Sequence, residues 1–182
     1  MNVVSVQVGL PKVITRDGEE ILTGIFKSPV QGPVTVRKLN LDGDRQADLN
    51  VHGGVKKAVY AYPSEHYPFW RKTYPRLNLP WGAFGENLTT EGMEESSIKL
   101  GDQYRIGTAV LEVSQPRTPC YKLAAKFNDD KIIKTFLTSG RTGFYFSVVQ
   151  EGELQAGDEV ELIYRDQAAL TISDDLRRYT KG

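Results

Sequence analysis

Cysteine and histidine are scarce in this sequence. Its 182 residues hold one cysteine, Cys120, and two histidines, His52 and His66. A lone cysteine cannot form a disulfide within the chain, which excludes a disulfide-stapled fold. The three residues also lack the spacing of a zinc finger or of an H-E-x-x-H metal site. A protease-like pair between Cys120 and either histidine remains conceivable, although the spacing favours neither.

An excess of charge and a long apolar segment are also lacking. The chain carries 23 Lys and Arg residues against 23 Asp and Glu, whereas proteins that bind duplex nucleic acid usually have a basic excess. No apolar run approaches the ~20 residues of a membrane-spanning helix, and the opening MNVVSVQVGL lacks the basic start of a secretory signal. We therefore expect a cytoplasmic protein with a reduced thiol that binds neither nucleic acid nor membrane.

Strand patterns dominate what is present. Alternating apolar residues predict strands in NVVSVQVGL, EEILTGIFKSPV, GPVTVRKLNLDGD, KKAVYAY, GFYFSVVQEG and GDEVELIYR. A hairpin is predicted over Tyr104–Gln115, with Gly107 and Thr108 at its turn. The pattern is typical of a mainly β fold, a barrel or mixed β-rich structure with a few short helices. We place this β-barrel domain at residues 1–166.

Three segments favour helices. SEHYPFWRKTY begins with Ser64 as a potential cap and contains Pro68, which would bend or interrupt the helix. CYKLAAKFN starts at Cys120, and DKIIKTFLTSG ends at Gly140, a common helix stop. Residues 167–182 form a polar tail, either fraying or the start of an element that the chain does not complete.

Cys120 is the first candidate for chemistry. A lone cysteine is often a small buried apolar side chain with no function. Here Pro119 favours an extended backbone before the predicted helix, and Arg117 and Lys122 flank the thiol. A helix N-terminus and two nearby cations would lower the cysteine pKa and favour a thiolate. A thiolate can serve as a nucleophile, a metal ligand or a persulfide carrier, and these alternatives remain open.

Two further stretches carry weaker signals. DGDRQADLNVHGGVKKAVYAY gathers Asp44, His52 and paired glycines before a strand, which can place backbone N–H groups near an anion. A simple turn with solvated lysines explains the same residues. WGAFGENLTT contains Asn87, which alone indicates only a turn. No Walker loop, G-x-G-x-x-G or G-x-S-x-G motif is present.

Five motifs in order resemble the MOSC domain family, named for the C-terminal domain of molybdenum cofactor sulfurase. They are GIFKSPVQGPVTV, DGDRQADLNVHGGVKKAVYAYPSEHYPFW, FGENLTTEG, LGDQYRIGTAVLEVSQPRTPCYKL and RTGFYFSVVQEGELQAGD. The chain is most similar in pattern to the free-standing bacterial YiiM-type members, over roughly Val3 to Tyr164. YiiM-type proteins usually continue into a small helical domain, which would begin near the end of this sequence.

The resemblance implies a β-barrel fold and a molybdopterin-type molybdenum cofactor held in a basic pocket. Cys120 would be the molybdenum ligand and the catalytic residue. The cofactor-binding residues implied by the resemblance are Lys27, His52, Asn87, Arg117, Lys122 and Arg141. Such proteins reduce N-hydroxylated compounds, including hydroxylaminopurines, with electrons from a separate redox protein.

Two alternatives to an enzyme remain. The chain would be a carrier if Cys120 held a persulfide or docked the cofactor for transfer without turnover. It would be an interaction barrel if the cysteine were only structural.

Overall fold

The structure is a computed structural model that describes residues 1–47 and 53–180. It has twelve strands: β1 Asn2–Val8, β2 Lys12–Arg16, β3 Glu19–Thr23, β4 Ser28–Pro29, β5 Val34–Val36, β6 Val59–Pro63, β7 Leu88–Glu91, β8 Gln103–Ile106, β9 Ala109–Pro116, β10 Phe144–Gln150, β11 Gly152–Leu154 and β12 Val160–Tyr164. The α-helices are α1 Tyr67–Thr73, α2 Tyr121–Phe127, α3 Lys131–Ser139 and α4 Ile172–Thr180, and 3₁₀ turns lie at Val55–Lys57 and Ser64–His66. The predicted mainly β class is confirmed.

Eight strands form one curled sheet in the order β12-β8-β9-β10-β6-β7-β1-β4. Neighbours pair antiparallel, apart from β6 and β7, which are parallel. The curl brings β1 to the turn before β12, where Val3 N–H donates to the Asp158 carbonyl at 2.9 Å and Gly157 N–H donates to the Val3 carbonyl at 2.8 Å. The result is a half-barrel whose interior holds the larger apolar core.

Strand β6 separates two cores because both of its faces are buried. Val59 and Ala61 point into the half-barrel, whereas Tyr60 and Tyr62 point toward the helices. This is the two-residue period of a strand. The helix-side core is largely aromatic, and its fully buried rings are Tyr62, Tyr67, Trp70, Phe84 and Phe136.

Most predicted elements are present, although some strands were divided or missed. The hairpin over Tyr104–Gln115 is confirmed as β8 and β9. The single strand predicted over residues 19–30 is divided into β3 and β4, and the prediction lacked β2, which pairs with β3. Asp17 and Gly18, at φ 53° and 84°, make the turn between β2 and β3. An Asp-Gly pair is a common hairpin signal for this reason.

Pro68 is the second residue of α1 and does not bend it. It lies in the first turn of the helix, where a missing N–H removes no helical hydrogen bond. Ser64 is not the cap of α1, because it is the first residue of a 3₁₀ turn and His66 directly precedes the helix.

The segment after β12 includes a docked helix, α4, which begins at Ile172. Ile172 and Leu176 of α4 are buried, and the Thr171 hydroxyl accepts the Asp174 N–H at 3.1 Å at the start of the helix. The described part of the predicted polar tail therefore includes a helix, and the domain boundary at residue 166 stays a prediction. Among the described residues, no helix has the length and apolar character to span a bilayer.

Two glycines near α3 have similar backbone angles but different surroundings, so alanine variants can distinguish backbone strain from a steric clash. Both have positive φ, Gly140 at 69° and Gly143 at 66°. A Cβ on Gly143 would lie 2.4 Å from the Ala61 carbonyl oxygen, whereas a Cβ on Gly140 would have no neighbour within 4 Å. Gly143→Ala should lower the free energy of unfolding by roughly 3 kcal/mol or more, and Gly140→Ala by about 1 kcal/mol. Chemical denaturation of both variants tests this, and equal losses would contradict the packing at Gly143.

Candidate functional site

An open cleft lies between the outer face of the sheet and the start of α2. Five of the predicted site residues line it: Lys27, Asn87, Arg117, Cys120 and Lys122. Residues far apart in the sequence therefore meet at one surface. His52, together with Asp48 of the same stretch, lies outside the described residues.

Cys120 lies at the junction of sheet and helix. Strand β9 ends at Pro116, and α2 begins at Tyr121. Cys120 has an extended backbone (φ −129°, ψ 172°), and its carbonyl accepts the Leu123 N–H at 2.9 Å. The residue is partly exposed toward the cleft. The predicted start of this helix is confirmed, and a ligand in the cleft can reach the thiol.

Arg117 is a buried cation with an unused donor. Its side chain packs against two rings, with the guanidinium carbon 5.0 Å from the Tyr60 ring centre and 5.1 Å from that of Phe136. Burial lowers the pKa of Arg117, but the nearby Tyr60, Tyr145 and Cys120 outweigh it and hold that pKa above the ordinary value. Its Nη1 is buried and has no hydrogen-bond partner in the part of the chain that the structure describes.

An orphaned donor of this kind is informative because leaving a buried charged group unsatisfied costs free energy. Arg117 is only 5% exposed, yet it lines the cleft. A ligand with anionic oxygen atoms would supply the missing acceptor. An anionic ligand beside Cys120 would therefore be stabilised by this donor.

Lys122 adds a second uncompensated charge. It is in the first turn of α2, is 8% exposed and lines the cleft. Within residues 1–47 and 53–180, its ammonium group has no ion pair or side-chain hydrogen bond. The Nζ atom lies 6.0 Å from the centre of the Tyr121 ring. Arg117 and Lys122 thus bracket Cys120 with positive charge.

Lys27 is also in the cleft wall, but its charge is matched by Asp44. The ammonium donates to Asp44 Oδ1, and the two side chains are almost completely buried. Asp44 Oδ1 also accepts the Gly9 N–H at 2.9 Å. Burial lowers the pKa of Lys27, and the Asp44 carboxylate opposes that shift.

Asn87 is committed to contacts within the protein. Its Nδ2 donates to Asp44 Oδ2 at 2.9 Å and to the Gln7 carbonyl at 3.3 Å, and its Oδ1 accepts the Tyr60 N–H at 3.1 Å. Both amide hydrogens are therefore used. Asn87 joins β1, β6 and the Asp44 loop, and its contact with a cofactor stays a prediction.

Arg141 is not brought together with Cys120. It lines a different depression, beside His66 and Glu95. Its guanidinium lies 4.6 Å from the Phe69 ring centre and donates to the Ser139 carbonyl at 3.3 Å. Its predicted part in cofactor binding finds no support in this placement.

Four residues that shape the cleft were missing from the predicted site. Tyr60 and Tyr145 line it, Glu86 fixes the loop before Asn87, and Lys126 holds two loops together. The buried Glu86 carboxylate accepts the Gly82 N–H at 2.7 Å, the Phe84 N–H at 3.1 Å and the Tyr67 hydroxyl. Strand alternation contained the signal for the two tyrosines, since each is flanked by residues of the inner core.

Comparisons with known proteins identify the family. The sequence pattern of the MOSC domain matches residues 48–161. The chain belongs to the MOSC domain family. Among its relatives, the uncharacterized protein YflK of Bacillus subtilis is 44% identical over 171 residues, which cover 94% of this chain and 77% of YflK.

Two further relatives place the chain close to YiiM. Protein YiiM of Escherichia coli is 40% identical over 79% of this chain, and a protein of Gibberella moniliformis named reductase is 38% identical over 81%. The match spans 65% of the Escherichia coli protein and 27% of the fungal one.

Solved structures show the same fold. The crystal structure of YiiM from Geobacillus stearothermophilus has a TM-score of 0.80 at 40% identity and covers 98% of this chain and 83% of its own. That of YiiM from Escherichia coli has a TM-score of 0.75 at 31% identity, with coverage of 97% and 76%. This MOSC domain chain is thus YiiM-like in both sequence and fold.

Lys126 provides a pH test of the loops around the cleft. Its Nζ donates to the carbonyls of Ile25, at 3.1 Å, and Gly82, at 2.9 Å. Burial is the main cause that lowers the pKa of Lys126 from 10.5 to about 8. Between these pH values the unfolded chain holds a proton that the folded protein has released, so this group makes the free energy of unfolding rise with pH.

Lys126→Met should remove that rise. The stability of the wild type relative to this variant is expected to increase by up to about 1.4 kcal/mol per pH unit between pH 8 and pH 10. Urea denaturation across this range measures it. Lys134→Met, at an exposed position on α3, is the control and should show no such trend. A flat difference for Lys126→Met would contradict its burial.

Proposed function

We propose that this MOSC domain protein binds a molybdopterin-type cofactor in the cleft and reduces N-hydroxylated compounds such as hydroxylaminopurines. Electrons come from a separate redox protein. One observation carries the proposal: Cys120 opens onto a cleft beside a buried Arg117 whose Nη1 has no acceptor among the described residues.

The residues present fit the cofactor. Its phosphate needs cations, and Arg117 and Lys122 supply two that have no acidic partner among the described residues. Arg117 is the better phosphate ligand because a guanidinium forms paired hydrogen bonds, whereas Lys122 acts as a point charge. The dithiolene of such a cofactor would supply two sulfurs to molybdenum, and the Cys120 thiolate would offer a third soft ligand of the same kind.

Protein side chains alone do not provide a metal centre in the described part of the chain. No group of three or more His, Cys, Asp or Glu side chains lies close enough together there to hold a metal ion. The cleft therefore suits a metal whose other ligands come from a bound cofactor and to which the protein would add one thiolate.

The protein's share of the reaction is binding, orientation and electrostatics. When bound, the cofactor supplies a metal that shuttles between two oxidation states, which suits conversion of an N–OH group to N–H with two electrons, two protons and release of water. Arg117 and Lys122 hold anionic oxygen atoms near Cys120. Tyr60 and Tyr145 form the aromatic wall of the cleft, and the open mouth admits a small substrate.

The relatives support the oxidoreductase class. The Gibberella moniliformis protein, 38% identical over 151 residues, is named reductase. The substrate, the cofactor and the electron donor remain parts of the proposal.

Replacement of the cysteine tests catalysis. With reduced methyl viologen as electron donor, the loaded wild type should convert 6-hydroxylaminopurine to adenine. Cys120→Ser, close in shape, and Cys120→Ala should each lose at least about a hundredfold, since even outer-sphere partners of a metal are worth 10–100-fold. Product is measured by chromatography. A loaded wild type that turns over no N-hydroxylated compound would contradict the enzyme and favour a carrier.

A pair of arginine variants tests where the cofactor is held. Arg117→Met should reduce bound pterin by at least about tenfold, because hydrogen bonds to charged groups contribute about 1.5–3 kcal/mol. Arg141→Met is the matched control, since Arg141 lies in a different depression. Pterin is measured as its fluorescent oxidation product, with thermal unfolding as a check on folding. Equal loss in both variants would contradict the assignment to this cleft.

A further inference from the structure

Lys27 and Asp44 form an arrangement that the proposed reaction does not explain. The Lys27 ammonium is buried in the wall of the cleft, and the Asp44 carboxylate accepts a hydrogen bond from it. An ammonium that is buried without a partner favours the neutral amine. Whether this lysine contributes positive charge to the cleft therefore depends on the carboxylate.

Asp44 is held more firmly than an ordinary surface acid. Its two oxygens accept hydrogen bonds from the Gly9 N–H and from Asn87 Nδ2, both at 2.9 Å. Asp44 is 1% exposed, and the Arg45 guanidinium donates to its backbone carbonyl at 2.8 Å. These contacts come from Gly9 just after β1, from Asn87 just before β7 and from Arg45 next to Asp44. The carboxylate therefore cannot turn away from Lys27 without breaking hydrogen bonds to other segments.

We propose that Asp44 is a positioning residue that keeps Lys27 protonated and fixed in the cleft wall, so that its ammonium can donate to an anionic oxygen atom in the cleft although the pair carries no net charge. This deepens the proposed function and rests on it only in that the cleft receives an anionic group. Asp44 itself contacts no ligand in this role.

The other charges around Lys27 act in opposing directions. The buried Glu86 favours its ammonium form, as Asp44 does, and burial opposes both. Lys126 is close enough for the two lysines to repel each other. The remaining charged or titratable groups of the cleft wall are Arg45, Lys57, Tyr60, Arg117, Cys120, Lys122 and Tyr145. Of the two carboxylates that favour the ammonium form, Asp44 and Glu86, only Asp44 is hydrogen-bonded to Lys27.

Asp44→Asn tests the proposal without the cofactor. The probe is sulfate, whose charge does not change between pH 6 and pH 9. The variant keeps the side-chain shape but removes the charge, so Lys27 loses its proton at lower pH. Sulfate binding by the variant should weaken by up to about tenfold per pH unit once Lys27 is neutral, and more steeply than in the wild type.

Two matched variants assign the effect. In the Lys27→Met background, Asp44→Asn should add no pH dependence, because the titrating group is gone. Asp102 is another fully buried aspartate paired with a cation, Arg165, and it lies outside the cleft. Asp102→Asn should leave the pH profile of sulfate binding as in the wild type. A purely structural role for Asp44 predicts equal loss of binding at every pH, which would overturn the proposal.

A direct measurement covers the case in which Asp44→Asn fails to fold. The ε-carbon signal of Lys27 in the wild type, assigned by its absence in Lys27→Met, reports protonation by NMR. Lys27 should remain an ammonium at pH 7.5. A neutral Lys27 at that pH, or a wild type that binds no sulfate in the cleft, would overturn the proposal. Neither result depends on reductase activity, so failure here is distinguishable from failure of the proposed reaction.

Discussion

Burial of β6 on both faces is the constraint on which the site depends. One face packs into the half-barrel, and the other, through Tyr60 and Tyr62, forms the aromatic core beneath the helices. The hydroxyl of Tyr60 donates to the Thr142 carbonyl at 2.7 Å, and that of Tyr62 donates to the Arg141 carbonyl at 3.0 Å. These bonds fix the loop before β10 beside the residues that follow β9. The position of Arg117 and Cys120 is therefore set by a strand more than fifty residues away in sequence.

Charge compensation decides which cations are left for a ligand. Asp44 matches Lys27, and the carbonyls of Ile25 and Gly82 occupy Lys126. Arg117 keeps one buried donor without an acceptor among the described residues. Some cations of the cleft thus have acceptors within the protein, whereas others would gain an acceptor from a bound anion. That division explains how a chain with no net charge can carry a strongly cationic site.

Sequence patterns predicted the architecture well because it follows local rules. Alternating residues located most strands, and Gly107 and Gly140 marked a turn and a helix end. Hydrogen-bond partners were beyond such reasoning, since they depend on which loops meet in space. The hydrogen bonds that join Asn87 to Asp44, Gln7 and Tyr60, for example, could not be read from its motif. Arg141 was grouped with Arg117 by charge, yet the structure places it in another depression.

The ordered motifs identified the family, and the cleft beside Cys120 is the site at which we propose that the cofactor binds. The most direct test is the metal and pterin content of the chain purified from a host that makes the molybdenum cofactor. The account predicts equimolar molybdenum, pterin and protein. A folded chain that carries neither, while another molybdenum protein from the same host is fully loaded, would contradict it.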